Sequence, residues 1–407
     1  MFDAAELNPP IHDESGHLVL KSVGLPLRAG AFDLTLDKGT VTSIEAHADR
    51  SPAWLCLPAL ADLHVHANRA FTLGGAHPQS LSHAIELTQD IFATFDEERY
   101  ARHAQMLFEQ GLAKGTTRFR THADIDPSSG LKALRGTLDA RDAMKDRIDV
   151  EIVAFASSIN DPIQKEVKDI LRTAIDLGAT HLGAVPNFYP DPARSIAAML
   201  DLASELGVPV DVHLDEHLDA ALSASGALAK ATLDRGLQGR VTLSHGCAIS
   251  TLAEDARKAV IDALAQVGIT VIALPATNLY LQDRGAGTPQ RRGLTSVLEM
   301  ARAGVPLRFA SDNVQDVFYP YGNADLLDIA QLTASAAHVD DMKVLLSGIC
   351  DGRADIQVGD AACLTLVKEK SFESAIAERP QARAALHKGR VVNPLPLADP
   401  TSMFPTY

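Results

Sequence analysis

Near both ends of the chain apolar and polar residues alternate, whereas the long middle stretch carries short, solid apolar runs separated by segments of helical periodicity. Alternation with period two marks strands with one buried face, and solid runs mark strands buried on both faces. Residues 17–23 and 32–47 have the β-rich or alternating character, and Asp37-Lys38-Gly39 supplies a turn between 32–36 and 40–44. Residues 362–367 and 386–392 are similar, with Lys388-Gly389 as their turn. The pattern predicts one small β-domain made from both chain ends, residues 1–53 and 355–407, beside a central module of residues 54–354 that supplies the chemistry.

In the central module strand and helix patterns follow one another with regularity. After the run 54–63, which leads into His64-Val65-His66, strands are expected at 117–123, 150–156, 181–186, 208–214, 240–245, 270–275 and 307–312. Between them lie helical stretches such as 163–177, where Ile163, Val167, Ile170, Leu171 and Ala174 recur at three- and four-residue steps. Gly178, Gly207, Gly268 and Gly304 each follow a helical run, where a left-handed terminal residue is expected. Thr94 with Glu97 reads as a capping box opening a further helix. Eight strand-helix units predict a (β/α)₈ TIM barrel. The alternative, a doubly wound sheet, calls for a glycine-rich phosphate loop after its first strand, and 64–71 has none.

Composition narrows the setting. With 46% hydrophobic residues the chain can bury a large core. It has no apolar run near twenty residues, and residues 1–15 lack the basic-then-apolar pattern of a secretory signal, so a cytoplasmic enzyme with no membrane partner is expected. The net charge of −15 and the lack of a basic patch argue against nucleic acid as a partner. Cys56, Cys247, Cys350 and Cys363 form no Cys-x-x-Cys pair, which excludes a thiolate zinc signature and predicts reduced thiols. A homo-oligomer is compatible with all of this.

The candidate chemistry lies at the strand ends. Two residues apart on a strand, His64 and His66 point the same way. His213, His245 and Asp312 end later strands, and a barrel gathers all such ends around one axial pocket. Imidazoles with one carboxylate suit a divalent ion such as Zn²⁺ or Fe²⁺ better than Mg²⁺ or Ca²⁺. His122 and His181 read as hydrogen-bonded core or loop histidines.

His64-Val65-His66, His213-Leu214-Asp215-Glu216, Ser244-His245-Gly246 and Ser311-Asp312-Asn313 resemble the amidohydrolase superfamily, in particular its cytosine deaminase-like branch. Segments 278–284, 289–293 and 318–323 resemble the stretches around that family's pocket and bring Gln282 and Phe318 into it. The resemblance implies one ion held by His64, His66, His213 and Asp312, because Pro186 and Asn187 stand where binuclear relatives carry a carboxylated lysine. An ion-activated water then needs a base, and Glu216, three residues past His213, fits a proton shuttle. His245 would hydrogen-bond the attacking oxygen or the tetrahedral intermediate, and Asp312 would relay a proton to the departing amine.

Ser157 replaces the cytosine deaminases' glutamine and is too short to make the same paired hydrogen bonds; Asn313 and Phe318 replace an acid and a tryptophan. Ser311-Asp312-Asn313 resembles the triazine-ring aminohydrolases, although Asn68-Arg69 departs from their Asp-Lys. The expected activity is hydrolytic deamination of a small amino-substituted N-heterocycle of pyrimidine, purine or triazine type. Cleavage of a cyclic amide or another non-peptide C–N bond is the alternative. A polynucleotide-editing deaminase is excluded by the missing cysteine signature, and retention of the ligand set with Glu216 argues against a catalytically silent binding protein.

Overall fold

The computed structural model describes residues 8–14, 16–48, 51–73, 78, 80–125 and 130–393. The extreme ends of the proposed β-domain, 1–7 and 394–407, lie outside the described residues. In chain order the first strands are β1 (Ile11–Glu14), β2 (His17–Leu25), β3 (Arg28–Asp37), β4 (Thr40–Ala46) and β5 (Trp54–Pro58). Eight more follow: β6 (Leu60–Val65), β7 (Thr116–Ile125), β8 (Asp149–Ala156), β9 (His181–Gly183), β10 (Val210–Leu214), β11 (Val241–His245), β12 (Thr270–Ala273) and β13 (Leu307–Phe309). The last are β14 (Leu364–Val367), β15 (Arg383–His387) and β16 (Arg390–Val391).

Strands β6 to β13 pair in parallel with their chain neighbours. The ring is completed where the Asp312 amide donates to the His64 carbonyl at 2.9 Å and Asp312 bridges to Val65. This is the TIM barrel. Its wall is a continuous apolar core between strands and helices, including Ile152, Leu182, Val212, Leu243 and Val271, all nearly inaccessible. One close approach needs glycine: a Cβ on Gly136, in the helix Lys132–Met144, would collide with the Glu97 carbonyl of the helix Glu97–Ala113.

The second sheet runs β16-β15-β14-β5-β2-β3-β4, with β1 added beside β2, so both chain ends do build one small domain. The sheet reaches further into the chain than the hydrophobic pattern implies. Run 54–63 is two strands, and its first half, β5, pairs with β2 and β14 rather than with the barrel. Apolar residues buried on both faces look alike in either sheet, so the break after Pro58 leaves no periodicity signal.

Local turns follow their sequence chemistry. Lys38-Gly39 and Lys388-Gly389 adopt left-handed φ values in their hairpins, and Gly178, Gly207, Gly268 and Gly304 cap their helices at φ 118°, 70°, 68° and 78°. The expected capping box at Thr94 is not used. Asp96 caps the helix Glu97–Ala113 by accepting from the Arg99 amide, while the Thr94 hydroxyl donates back to Ile91. Aspartate is the stronger cap and stands immediately before the helix. All four cysteines are free, three of them buried, and no described helix is long and apolar enough to cross a membrane.

Candidate metal centre and active site

Alternation along the barrel strands stacks polar side chains in layers. Asp62 and His64 on β6, Arg120 and His122 on β7, Asp211 and His213 on β10, and Thr242 and Ser244 on β11 are such two-residue steps. In the upper layer the His64, His122 and His213 rings lie 4.1 to 4.7 Å apart between centroids. His66 joins them: its Nε2 sits 3.2 Å from His213 Nε2 and 3.4 Å from Asp312 Oδ1. His64 Nε2 lies 3.6 Å from the same Asp312 oxygen.

Two residues reach the cluster through left-handed backbone. Alternation alone would send His245 away from Ser244, but φ 77° at His245 turns its ring back to 4.9 Å from that of His213. Asp312, just past β13, has φ 61°. Such conformations cost of order 1–3 kcal/mol each and persist where the surroundings impose them.

Hydrogen bonding assigns the His64 tautomer. The Ser244 hydroxyl donates to Asp211 Oδ1 at 2.7 Å, so His64 Nδ1–H donates to Ser244 Oγ at 2.8 Å, leaving a lone pair on Nε2. That Nε2 and both oxygens of Asp312 are buried without a hydrogen-bond partner. Burial pushes His64, His66 and His213 well below the ordinary histidine value, so all three are neutral. Burial also pushes Asp312 up to about 8, and with less help from Asp312 it drives Glu216 well above the carboxylate range. Lone pairs of neutral imidazoles converging with an uncompensated carboxylate fit a divalent cation, which would hold Asp312 ionised. The residues present therefore fit an ion with mixed nitrogen and oxygen ligands.

Glu216 is positioned by the turn before it. Asp215, at φ 57°, accepts from the Ala224 amide at 2.8 Å and the Ser223 hydroxyl at 2.6 Å, and its own amide donates to Asn187 Oδ1 at 2.7 Å. The Glu216 carboxylate then stands 3.6 Å from His245 Nε2, whose Nδ1 is engaged by Asn278 Nδ2 at 3.0 Å. Both face a pocket that also takes in His66, His213 and Asp312. Its walls are largely apolar, from Phe155, Phe318, Phe188 and the helix Leu81–Phe92 lying across it.

Among the anticipated substrate contacts, Ser157, Asn313 and Phe318 line the pocket. Asn313 already donates to Asp316 Oδ2 at 2.7 Å. Gln282 is not on the wall; its amide donates to the Glu216 carbonyl at 3.1 Å and so supports the base from behind. His122, read as a core histidine, stands inside the histidine cluster, while His181 pairs with the Thr180 hydroxyl at 2.8 Å, away from it. Sequence reasoning also passed over Asp124, Arg69 and Asp211. For His122 and Asp124 the usable signal was the same one that marked His213, a position near the C-terminal end of a barrel strand.

A family model described as "Amidohydrolase family" matches residues 75–365. The chain belongs to the amidohydrolase family. It is 31% identical over 376 residues to the pterin deaminase of Rhizobium rhizogenes (strain K84 / ATCC BAA-868), covering 88% of this chain and 85% of that protein. The N-isopropylammelide isopropyl amidohydrolase of Pseudomonas sp. (strain ADP) is 24% identical, over 92% of this chain and 96% of the relative. Among solved structures, 5-methylcytosine deaminase from Klebsiella pneumoniae bound to 5-fluorocytosine superposes with a TM-score of 0.85 at 27% identity, covering 93% and 98% of the two chains. As an amidohydrolase the chain is a hydrolase of the metal-dependent kind that acts on C–N bonds, and its His/Asp cluster could bind a metal.

Proposed function

We propose that this amidohydrolase is a hydrolytic deaminase of a small amino-substituted N-heterocycle, working with one divalent ion, Zn²⁺ or Fe²⁺, per chain. The observation that carries the reading is the approach of the His64 and His66 imidazoles to the unpartnered Asp312 carboxylate, with His213 against His66 and Glu216 in the same pocket. His64, His66, His213 and Asp312 would hold the ion, and His122 stands close enough to adjust its surroundings. No lysine lines the pocket among the described residues, which favours one ion over two.

The bound ion supplies Lewis acidity, which makes water a nucleophile at neutral pH. Glu216 takes the proton of that water and hands it to a ring nitrogen, raising the electrophilicity of the amino-bearing carbon. Its raised affinity for a proton suits a group that must both accept and release one. His245, fixed by Asn278, hydrogen-bonds the developing oxyanion through Nε2. Asp312 would take the proton of the hydroxyl added to the carbon and pass it to the amine, which leaves as ammonia as the C–N bond breaks. The apolar walls hold the ring flat and keep other water away.

The 31% identical relative makes a fused amino-oxo ring, pterin, the first compound to try, followed by 5-methylcytosine and N-alkylated triazines. Purified, metal-defined protein is expected to release one ammonia per ring and leave the ring intact. Ring-opened product without ammonia would point instead to cyclic-amide hydrolysis, and no turnover of any amino-heterocycle would refute the proposal.

A further inference from the structure

Arg69 is a donor in this pocket for which the catalytic scheme has no use. It is only 8% exposed, yet among the described residues its guanidinium makes one hydrogen bond, from Nη1 to Asp124 Oδ1 at 3.3 Å. Its buried Nε has no hydrogen-bond partner, the nearest carboxylate oxygen being Asp316 Oδ2 at 3.9 Å. Leaving a buried donor unmatched is costly unless something else, such as a ligand, satisfies it.

The surroundings hold the guanidinium still and leave it available. Asp124 is itself anchored, because Asn68 Nδ2 donates to its other oxygen at 2.8 Å. Phe318 lies under the guanidinium carbon at 4.5 Å. Asp316 cannot move to meet Arg69 without giving up bonds from Asn313 Nδ2 at 2.7 Å and the Phe318 amide at 2.9 Å. The Arg69 fork is thus fixed on the wall of the pocket that Glu216 and His245 also line.

We infer that Arg69 is a specificity-determining residue that reads a pair of adjacent acceptors on the substrate, an exocyclic oxo oxygen and the neighbouring unprotonated ring nitrogen. The inference rests on the deaminase reading and narrows it to amino-oxo heterocycles. A planar fork pairs best with two acceptors side by side, as arginine does with the oxygen and nitrogen on one edge of guanine. Two carboxylates, Asp124 and Asp316, already flank the cation. Its complement is therefore a neutral oxo edge, not another carboxylate. Rings that carry amino groups without an oxo group leave the fork unmatched and are discriminated against.

The test compares pterin, which carries the 4-oxo group beside a ring nitrogen, with 2-aminopteridine, which lacks it. Binding is measured by calorimetry on metal-loaded full-length protein carrying Glu216→Gln to stall turnover, with and without Arg69→Gln or Arg69→Lys, and metal content and thermal midpoint are checked for each variant. The Arg69-containing protein is expected to favour pterin by about tenfold or more. Arg69→Gln removes the preference, and Arg69→Lys, which keeps the charge but not the fork, restores less than half of it on a logarithmic scale. No preference in the Arg69-containing protein, a preference that survives Arg69→Gln, or full rescue by lysine overturns the inference. Ammonia release by the protein with Glu216 intact is read separately. Its absence, with the Arg69-dependent preference present, would refute the deamination and leave the Arg69 assignment standing.

Discussion

The barrel interior holds two polar layers that differ in how far their groups are paired. Toward the strands' N-terminal ends Arg120 bonds Glu151 at 2.8 Å and Asp211 at 3.0 Å, Arg118 bonds Glu151 at 2.6 Å and Asp351 at 2.7 Å, and Arg308 bonds Asp351 at 3.0 Å. Two residues further along the strands, His64, His122, His213 and Asp312 leave ring nitrogens and carboxylate oxygens without partners. The upper layer is buried, and in the lower one Asp211 is buried and Arg120 nearly so, so burial alone does not distinguish scaffold from site. A satisfied network rigidifies the wall; an unsatisfied one holds free energy that a ligand can recover. Asp211 joins the two, giving one oxygen to Arg120 and the other to Ser244, which orients His64.

The contrast can be broken most forcefully by removing one member of each layer. Arg120→Met takes the ion-pair partner from the fully buried Asp211 and leaves Glu151 with Arg118 alone, and is expected to cost about 3–5 kcal/mol in chemical denaturation. Asp312→Asn in metal-free protein replaces a buried carboxyl that has no hydrogen-bonded partner, and stability should stay level or rise. Equal losses in the two variants would erase the distinction between the layers.

Glu216→Gln sharpens the account on the chemical side. It keeps the size and removes the basic oxygen, so turnover at saturating substrate should fall by about 10²-fold or more while metal content stays unchanged. Near-normal turnover would move the proton transfer to Asp312 or His245.

Ser244→Ala probes the link between layers. Without the Ser244 hydroxyl, His64 Nδ1–H loses its acceptor, and metal affinity measured by competition with a chelator should drop about 10–100-fold. Unchanged affinity would mean that the link between Asp211 and His64 does not orient the ligand.

The smallest effect is on acid stability. Burial raises the Glu151 carboxyl, but Arg120 and Arg118 outweigh it and hold the group below its ordinary value of 4.5. A depressed carboxyl contributes stability in full above that value and loses it as pH falls toward its folded-state pKa. The unfolding free energy of the native protein should therefore decline below about pH 4.5, with a shallower slope in Glu151→Gln. Identical slopes would take Glu151 out of the acid response.

How far the sequence alone reaches depends on whether a role is set by local position or by distant partners. His64, His66 and His213 are legible because strand period and strand end both mark them, and Gly178 and Gly207 because a helix terminus has its own chemistry. The resemblance to amidohydrolases supplies Glu216, which sits beyond its strand in a turn that Asp215 organises through residues eight to nine positions on. Arg69 and Asp124 become partners only because β6 and β7 lie side by side, 55 residues apart in sequence. Gln282 looked like a substrate contact because its neighbours resemble pocket residues, yet its 66-residue reach to the Glu216 backbone is invisible in any local pattern. The split of run 54–63 between two sheets has the same origin.

The central claim is that His64, His66, His213 and Asp312 together hold one divalent ion. Elemental analysis of protein saturated with Zn²⁺ or Fe²⁺ and then freed of loosely bound metal tests it directly. The account predicts one ion per chain in the native protein and loss of that ion in the His64→Ala, His66→Ala double variant. Two stoichiometric ions per native chain, or a double variant that keeps its metal, would contradict it.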